Sequence, residues 1–471
     1  MAEKSRQDPS RTAEIESLYR RYSRAGQIRQ RLRRALRSTL WLLVIQPIAA
    51  AKRLFDIALS LGLLAVLSPL LLLAALLSGM QLQRETRLGQ WCKSYNLYRF
   101  AAAPGLRGKI TDWLHLRNLP VLFNVLKGDM SFVGPRAAAP GELNPREYAV
   151  RRRYNVRPGI LSLWWIRRRA NIDYGSELDT DLEYVDSHGL LQDFGISLRA
   201  IPAMLYGQGV PSAPDKVTIL GIPLTNLTME EAIDTILERL DGDRPTQICF
   251  VNADCANIAY RNPAYLDVLR RADFCFADGI GLKLAGKLLA QEIRQNVNGT
   301  DLFPRLCEAL AASDKGLFLL GARPGVAEDV VRWVEQNHPK TAVLGLQHGY
   351  FQAEEESSVL ERMRSSGADL LLVAFGAPRQ DLWIHQHLPE TNAKVAMGVG
   401  GLFDFYSGRM PRAPQWMREM GMEWLYRLMQ EPGRMWKRYL VGNGLFLFRV
   451  LWERISSRKS LNHEVERVGG F

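Results

Sequence analysis

Between residues 217 and 405 the chain alternates short apolar runs, VTIL, QICFV, GLFLLG, TAVLGL, ADLLLVAFG and KVAMGVG, with amphipathic stretches such as TMEEAIDTILERL and VAEDVVRWVEQNH. Runs of four to eight apolar, often β-branched residues fit strands buried on both faces, and a helix-period stretch between two runs supplies the crossover that a parallel pair requires. The pattern predicts βαβ units around a parallel sheet, a Rossmann-like α/β domain over residues 217–410. Thr228 and Glu231 form a capping box that fixes the start of its first helix.

Ligands of such sheets collect beyond the C-terminal strand ends, so the informative residues are those just after each run. They are Asn252-Ala253-Asp254, Asp278-Gly279-Ile280-Gly281, Gly321-Ala322-Arg323-Pro324-Gly325, Ala377-Pro378-Arg379-Gln380-Asp381, and Gly401 with Phe403 and Asp404. No GxGxxG opens a helix and no Walker A motif occurs, which argues against a dehydrogenase and a P-loop enzyme. Asp241-Gly242-Asp243 follows a helix and precedes a strand, so it reads as a turn at the opposite edge rather than a metal-binding DxD. His385 and His387, two apart on a helix, point to different sides and make a poor ligand pair.

Upstream, FDIALSLGLLAVLSPLLLLAALLSG, residues 54–78, is the one long apolar run. Ser68-Pro69 near its middle splits it into pieces of roughly 20 Å, and neither alone crosses a hydrocarbon core of about 30 Å. Arg37, Lys52 and Arg53 precede it and Arg84, Arg87, Lys93 and Arg99 follow, which places both flanks in the cytoplasm. A re-entrant helical hairpin satisfies both constraints; a kinked span and a buried helix of a soluble domain are the alternatives. The arginine-rich residues 1–38 are too long and polar for a signal peptide and read as a basic arm that anionic headgroups attract.

The 471 residues suffice for two or three domains, and a hydrophobic content of 47% excludes a mainly disordered chain. A formal net charge of +12 points to anionic partners. Cys92, Cys249, Cys255, Cys275 and Cys307 are odd in number and show no CxxC spacing, which fits a reducing cytosol. The expected divisions are the arm 1–38, a membrane-associated domain 39–207, a linker 208–216, the α/β domain 217–410 and a basic, aromatic helical appendage 411–471, read at its plainest as a pair of helices packed on the core.

The motifs ADGIG, NGTDLFPRLCEAL, FGAPRQD, GVGGLFDFYSG and RAPQWMREMGMEWLYRL, in that order, resemble the WecG/TagA/CpsF glycosyltransferases. The resemblance implies a UDP-sugar donor, a polyprenyl-diphosphate-linked acceptor, inversion at the anomeric carbon and no obligatory metal or other cofactor. It implies that Asp278 is the general base and that Asn252, Asp254, Gly279, Asn298, Thr300, Asp301, Gly321, Arg323, Gln380 and Gly401 bind donor or acceptor. The arginine usual before the GTD motif is Asn296 here, with Arg294 nearby. Arg412, Arg418, Arg427, Arg434 and Arg438 become candidates for a diphosphate clamp.

Residues 51–206 resemble the bacterial sugar transferases, monotopic polyprenyl-phosphate phosphoglycosyltransferases, through AKRLFDIALS, YNLYRF, LPVLFNVLKGDMSFVGPR and VRPGILSLWWI. In that family an Asp-Glu pair stands before the Leu-Pro, the aspartate as nucleophile and the glutamate as a magnesium ligand. Arg117-Asn118 stand there instead, so this half is expected to be catalytically dead and to need no magnesium. Arg136 and Arg157 remain as candidates to grip a lipid phosphate headgroup.

Together these readings predict a glycosyltransferase tethered at the cytoplasmic face of a bacterial inner membrane, elongating a lipid-linked saccharide for exopolysaccharide or another surface polymer. Its partners are the UDP-sugar, the polyprenyl-diphosphate acceptor and membrane lipids, with other assembly enzymes a further possibility and no nucleic acid. A bifunctional enzyme with both halves active and a non-catalytic scaffold are the rival readings.

Overall fold

The structure, a computed structural model, describes residues 46–102, 116–170, 176–205 and 213–468, with Ile28, Leu32, Gly105, Gly108 and Thr111. Nearly all of the basic arm, most of the stretch between YRF and LPVLFN and the first residues of the expected linker lie outside the described residues. The chain divides into two compact units, one running to Leu163 and resuming over Ser176–Ser197, the other formed by Trp164–Gly175 with everything from Leu198 onward.

The first unit begins with α1 (Gln46–Val66) and α2 (Ser68–Leu77), joined at a bend of 67°. Pro69 enters the second position of α2, where its missing N–H is tolerated, and the Ser68 hydroxyl donates to the Ala65 carbonyl at 2.8 Å. No single helix among the described residues is long and apolar enough to cross a membrane, though this bent pair is so by length and composition together. Leu61, Val66, Leu72 and Leu76 are each more than half exposed.

Polar side chains near the start of α1 are tied down instead. Arg53 donates to the carbonyls of Val125 at 2.6 Å and Leu126 at 2.9 Å, orphans at the end of helix Val121–Lys127. Asp56 accepts from the Ser131 hydroxyl at 2.7 Å and the Phe132 amide at 3.0 Å, and Lys52 pairs with Asp193.

Strands β1 (Leu82–Leu88) and β2 (Ser94–Phe100) form an antiparallel pair, and β3 (Ser131–Val133) runs parallel to β4 (Gly159–Leu161). The second pairing brings the GDMSFVGPR and VRPGILS segments together. A Cβ on Gly159 would collide with the backbone nitrogen of Gly134, and one on Gly134 with the carbonyl of Arg157, so both segments need glycine where they meet.

The second unit starts with α3 (Leu163–Ala170) and the later part of α4 (Leu190–Leu205). Its sheet holds β5 (Lys216–Ile219), β6 (Ile222–Thr225), β7 (Thr246–Val251), β8 (Phe274–Ala277), β9 (Gly316–Gly321), β10 (Ala342–Gln347), β11 (Leu370–Ala374) and β12 (Val395–Gly398). The order is β10-β9-β11-β12-β7-β8-β6-β5, and every neighbouring pair is parallel except β5 with β6. The predicted α/β core with a parallel sheet is therefore present. Every residue of β7, β9 and β11 is buried, which is why those runs are apolar without alternation.

The apolar pattern gave no sign of β6. Leu220 and Gly221, with φ of 51° and 77°, make a two-residue hairpin turn that the dipeptide Leu-Gly does not advertise. Pro223 also argues against a strand, but β6 meets β8 only through Thr225, so no bond there needs the missing N–H.

Thr228 and Glu231 do form the capping box. Asp241 and Asp243 are exposed just before β7, Asp243 3.6 Å from Lys394 at the start of β12, so they mark the edge where strands begin.

Helices α5 (Ala253–Arg261), α6 (Ile280–Leu289) and α7 (Gly299–Leu310) follow β7 and β8. The C-terminal appendage is more broken than a helix pair: α8 (Gln415–Glu419), α9 (Glu423–Gln430) and the turn of Pro432–Trp436 lead through a π-helical stretch into α10 (Gly442–Val468). Phe446 and Val450 of α10 are wholly buried among Cys255, Tyr265 and Leu282. On α8, Glu419 is completely buried and accepts from Arg167 of α3 at 2.8 Å and Arg199 of α4 at 2.7 Å.

Candidate active site

Because β7 and β8 are adjacent and parallel, their C-terminal ends deliver Asn252 and Asp278 side by side, the Asp278 amide donating to the Val251 carbonyl at 2.7 Å. Gly279 follows with φ 88°, which a side chain rarely takes, so the chain turns sharply off the strand straight into α6. Asn252 caps α5: its carbonyl oxygen accepts from the amides of Asp254 and Cys255, each at 3.0 Å. Its side chain also favours the ionised form of Asp278.

Asp278 lines a cavity of about 570 Å³ within the second unit. Of the residues singled out in the sequence, Asn252, Asp254, Gly279, Asn298, Thr300, Asp301, Arg418, Arg427 and Arg438 line it too. Burial pushes the Asp278 carboxyl up to about 6; the Glu423 charge adds to the rise, while Arg438, the Asn252 side chain and Arg427 oppose it. At neutral pH such a carboxyl is mostly ionised yet basic enough to accept a proton, the range suited to a general base.

Around it the appendage presents guanidinium groups, each steadied by an acid or a ring. Arg438 pairs with Asp254 at 3.0 Å, Arg427 lies over Phe405 at 4.7 Å, and Arg412 and Arg418 share Asp301 at 2.8 and 3.7 Å. Asp301 is itself set by Asn298, the cap of α7, which accepts from its amide at 2.7 Å and donates to its carboxylate at 2.8 Å. The Nε atoms of Arg418 and Arg427 are buried without a hydrogen-bond partner among the described residues. Unmet donors on two of the cations that line the cavity suit an anion with several oxygens.

Other singled-out residues lie elsewhere. Gly321 and Arg323 follow β9, three strands from β7, and are not among the lining residues. Gln380, 4% exposed, also stays out of the lining: its carbonyl accepts from the amides of Gly376 at 3.0 Å and Gly400 at 2.9 Å, tying the loops after β11 and β12 together. Gly401 stands behind the site, where a Cβ would lie 3.0 Å from the Arg427 guanidinium. Arg434 is 72% exposed, pairs with Glu431 and is outside the lining. Arg412 reaches the site through Asp301 rather than by lining it.

In the first unit, Arg136 is held by Glu142 and Glu177, so its charge is met within the protein, whereas Arg157 is half-buried next to β4. Arg294 pairs with Asp215 at 2.8 Å and Glu231 at 3.4 Å, away from the cavity, and Asn296 lines it, accepting from the Gly279 amide at 2.6 Å.

Sequence reasoning missed Glu423, Lys283 and Arg169, all of which line the cavity. Lys283 had a readable signal, since it falls on the buried stripe of α6 with Leu282, Ala285 and Gly286, where a lysine is out of place. Burial pushes its amine down to about 8, Lys287 and Arg169 lowering it further and Glu292 opposing. Asp381, in the FGAPRQD motif, is wholly buried; it accepts from the Tyr265 hydroxyl at 2.8 Å, and burial raises it to about 7.

The residues that build this cavity fall in a recognisable family. Residues 217–460 match the glycosyl transferase WecG/TagA/CpsF family, and residues 106–207 match the bacterial sugar transferases. The chain is 33% identical over 224 residues, 47% of its length, to an N-acetylglucosaminyldiphosphoundecaprenol N-acetyl-beta-D-mannosaminyltransferase of Bacillus subtilis (strain 168), covering 86% of that protein. It is 30% identical over 240 residues, 50% of its length, to a protein of the same name from Staphylococcus aureus (strain MRSA252), covering 92% of it. With a strand-end carboxylate, an arginine-rich appendage and a match over more than half its length, the chain belongs to the WecG/TagA/CpsF family of glycosyl transferases, preceded by a stretch that matches the bacterial sugar transferases.

Proposed function

We propose that the chain moves an N-acetylhexosamine or hexose from a UDP-sugar to a saccharide on a polyprenyl diphosphate, with inversion, for a surface polysaccharide. The observation that carries this reading is Asp278 on the wall of a cavity that Arg418, Arg427 and Arg438 also line, two of them with unmet Nε donors among the described residues. The relatives' names, which specify an N-acetylglucosaminyl-diphosphoundecaprenol acceptor and an N-acetylmannosaminyl donor group, support the substrate class.

In this reading the acceptor hydroxyl attacks the anomeric carbon on the face opposite UDP, and Asp278 takes its proton. The bond from that carbon to the β-phosphate oxygen breaks, and UDP leaves with the electron pair. Arg418, Arg427 and Arg438 stabilise the charge that develops there. Asn252 keeps the carboxylate oriented.

The first unit serves as anchor and not as catalyst. Arg117 donates to the Phe100 carbonyl at 3.3 Å, and neither it nor Asn118 offers a carboxylate nucleophile. The exposed leucines of α1 and α2 suit insertion as a re-entrant hairpin at the cytoplasmic face of the bacterial inner membrane. Anchoring raises the effective concentration of a membrane-confined acceptor. Leu72→Glu with Leu76→Glu should shift the protein from floating with liposomes to the soluble fraction; unchanged flotation would remove the hairpin as the anchor.

One assay separates the reading from its rivals. Detergent-solubilised protein is given a panel of UDP-sugars with a polyprenyl-diphosphate-sugar, and separately with polyprenyl phosphate and magnesium. UDP release and a product heavier by one sugar are expected in the first case, and no UMP in the second. UMP release would establish a bifunctional enzyme, and silence with every donor would favour a scaffold.

A further inference from the structure

The Asp278 cavity has a second cationic wall that the reaction above leaves unused. Lys283 of α6 lines the cavity at 8% exposure, and among the described residues no hydrogen bond or ion pair reaches its amine. Among the described residues Glu292 acts on it from beyond ion-pair range. Arg169 of α3 lines the same cavity, close enough for its charge to act on Lys283. It stacks over Trp165 at 4.2 Å and donates to the Ala203 carbonyl at 3.3 Å, and its Nε is buried without a partner among the described residues.

Two cations sharing a buried wall repel, and each loses hydration; an anion between them offsets both costs. Arg169 lies in the stretch that matches the bacterial sugar transferases, 83 residues before the first strand-end residue, Asn252, of the glycosyltransferase site. The appendage arginines sit on α8, α9 and the π-helical stretch, whereas Lys283 and Arg169 come from α6 and α3, so the two cation groups belong to different elements.

We propose that Lys283 and Arg169 form a second anion subsite of this cavity, which binds a diphosphate. The reaction proposed above involves two diphosphates, that of the nucleotide-sugar and that of the lipid-linked acceptor, and two cation groups answer to two ligands. Naming those sources rests on that reaction; the subsite itself rests on the cavity. Leu284, Leu440 and Leu447 add apolar surface to the lining, which an isoprenoid next to its diphosphate could cover.

The test uses the full chain in detergent, wild type against Lys283→Met, Lys283→Arg and Arg169→Gln, with UDP, farnesyl diphosphate and inorganic pyrophosphate titrated calorimetrically. Lys283→Met and Arg169→Gln should each weaken at least one organic diphosphate by about tenfold, as loss of a charge-assisted bond implies, and Lys283→Arg by no more than about threefold. A loss confined to UDP assigns the subsite to the donor, and one confined to farnesyl diphosphate assigns it to the acceptor. Lys283→Met removes a buried charge and should unfold no earlier than wild type; Arg169→Gln, on a half-buried side chain, is the independent check. Affinities within twofold for all three probes, in both variants and with wild-type unfolding temperatures, overturn the proposal. Absence of UDP release by the wild type would instead sink the reaction, leaving the subsite to be decided by binding.

Discussion

Asp278→Asn should lower kcat by about 10²–10⁴-fold, the usual contribution of a positioned general base, while making the second unit more stable at pH 8. The stability gain follows from the carboxyl lying at about 6 in the fold against an ordinary 3.8. A raised acid favours the protonated fold, so its contribution is fully present below about 3.8 and is lost as pH rises through about 6. Above that, the buried charge costs the fold no more than about 3 kcal/mol, less in proportion to the water the cavity admits. Asparagine removes that cost, so melting should rise by several degrees at pH 8 and by little or nothing at pH 4. For the unmodified protein, kcat/KM should fall about tenfold per pH unit below about 6, as Asp278 takes up its proton. Melting temperatures at the two pH values, with initial rates of UDP release, check both. Full activity in Asp278→Asn would remove this residue as the base.

Glu419→Ala should destabilise the second unit by roughly 3–5 kcal/mol, because it removes a wholly buried carboxylate that accepts from both Arg167 and Arg199. For a unit of this size that is a fall of about 6–20 °C in melting temperature. Activity should fall with it, since the neighbouring residue on α8 is Arg418, at the cavity wall. Glu419→Gln keeps the shape and one acceptor, so it should lose less. Replacing all three partners by apolar residues of similar volume should recover much of the stability, because the desolvation cost leaves with the charges. A Glu419→Ala protein melting within about 2 °C of wild type would show that the remaining partners meet both guanidinium groups.

The sheet was legible because its central strands are buried on both faces and carry runs that only such strands need. Asp278 and Asn252 were legible for a related reason: a parallel sheet gathers the residues after its strands at one edge. That rule speaks for a whole edge, however, and not for a particular pair of strands. Gly321, Arg323 and Gln380 satisfy it equally, but strand order sets β9 three places from β7 and turns the Gln380 amide onto backbone. Strand order depends on crossovers between residues far apart in sequence, which no local pattern records.

Arg434 failed for a different reason. Helical spacing puts arginines on faces, yet the short helix after Pro432 and the π-helical stretch shift the phase, so Arg434 faces solvent while Arg438 faces Asp254. Arg169 carried no readable signal at all. Its neighbours Arg167 and Arg168 are chemically alike, and only the placement of α3 with the second unit separates the one that pairs with Glu419 from the one that enters the cavity.

Glu419 also bears on how such a fusion persists through descent. Once an interior carboxylate leans on two guanidinium groups encoded far upstream, excising the upstream region no longer yields a free-standing transferase; it yields one with a bare anion in its interior. A lineage that retained the early segment would find that deletion closed to it, whatever chemistry the segment performs, and the segment would be inherited as a permanent fixture.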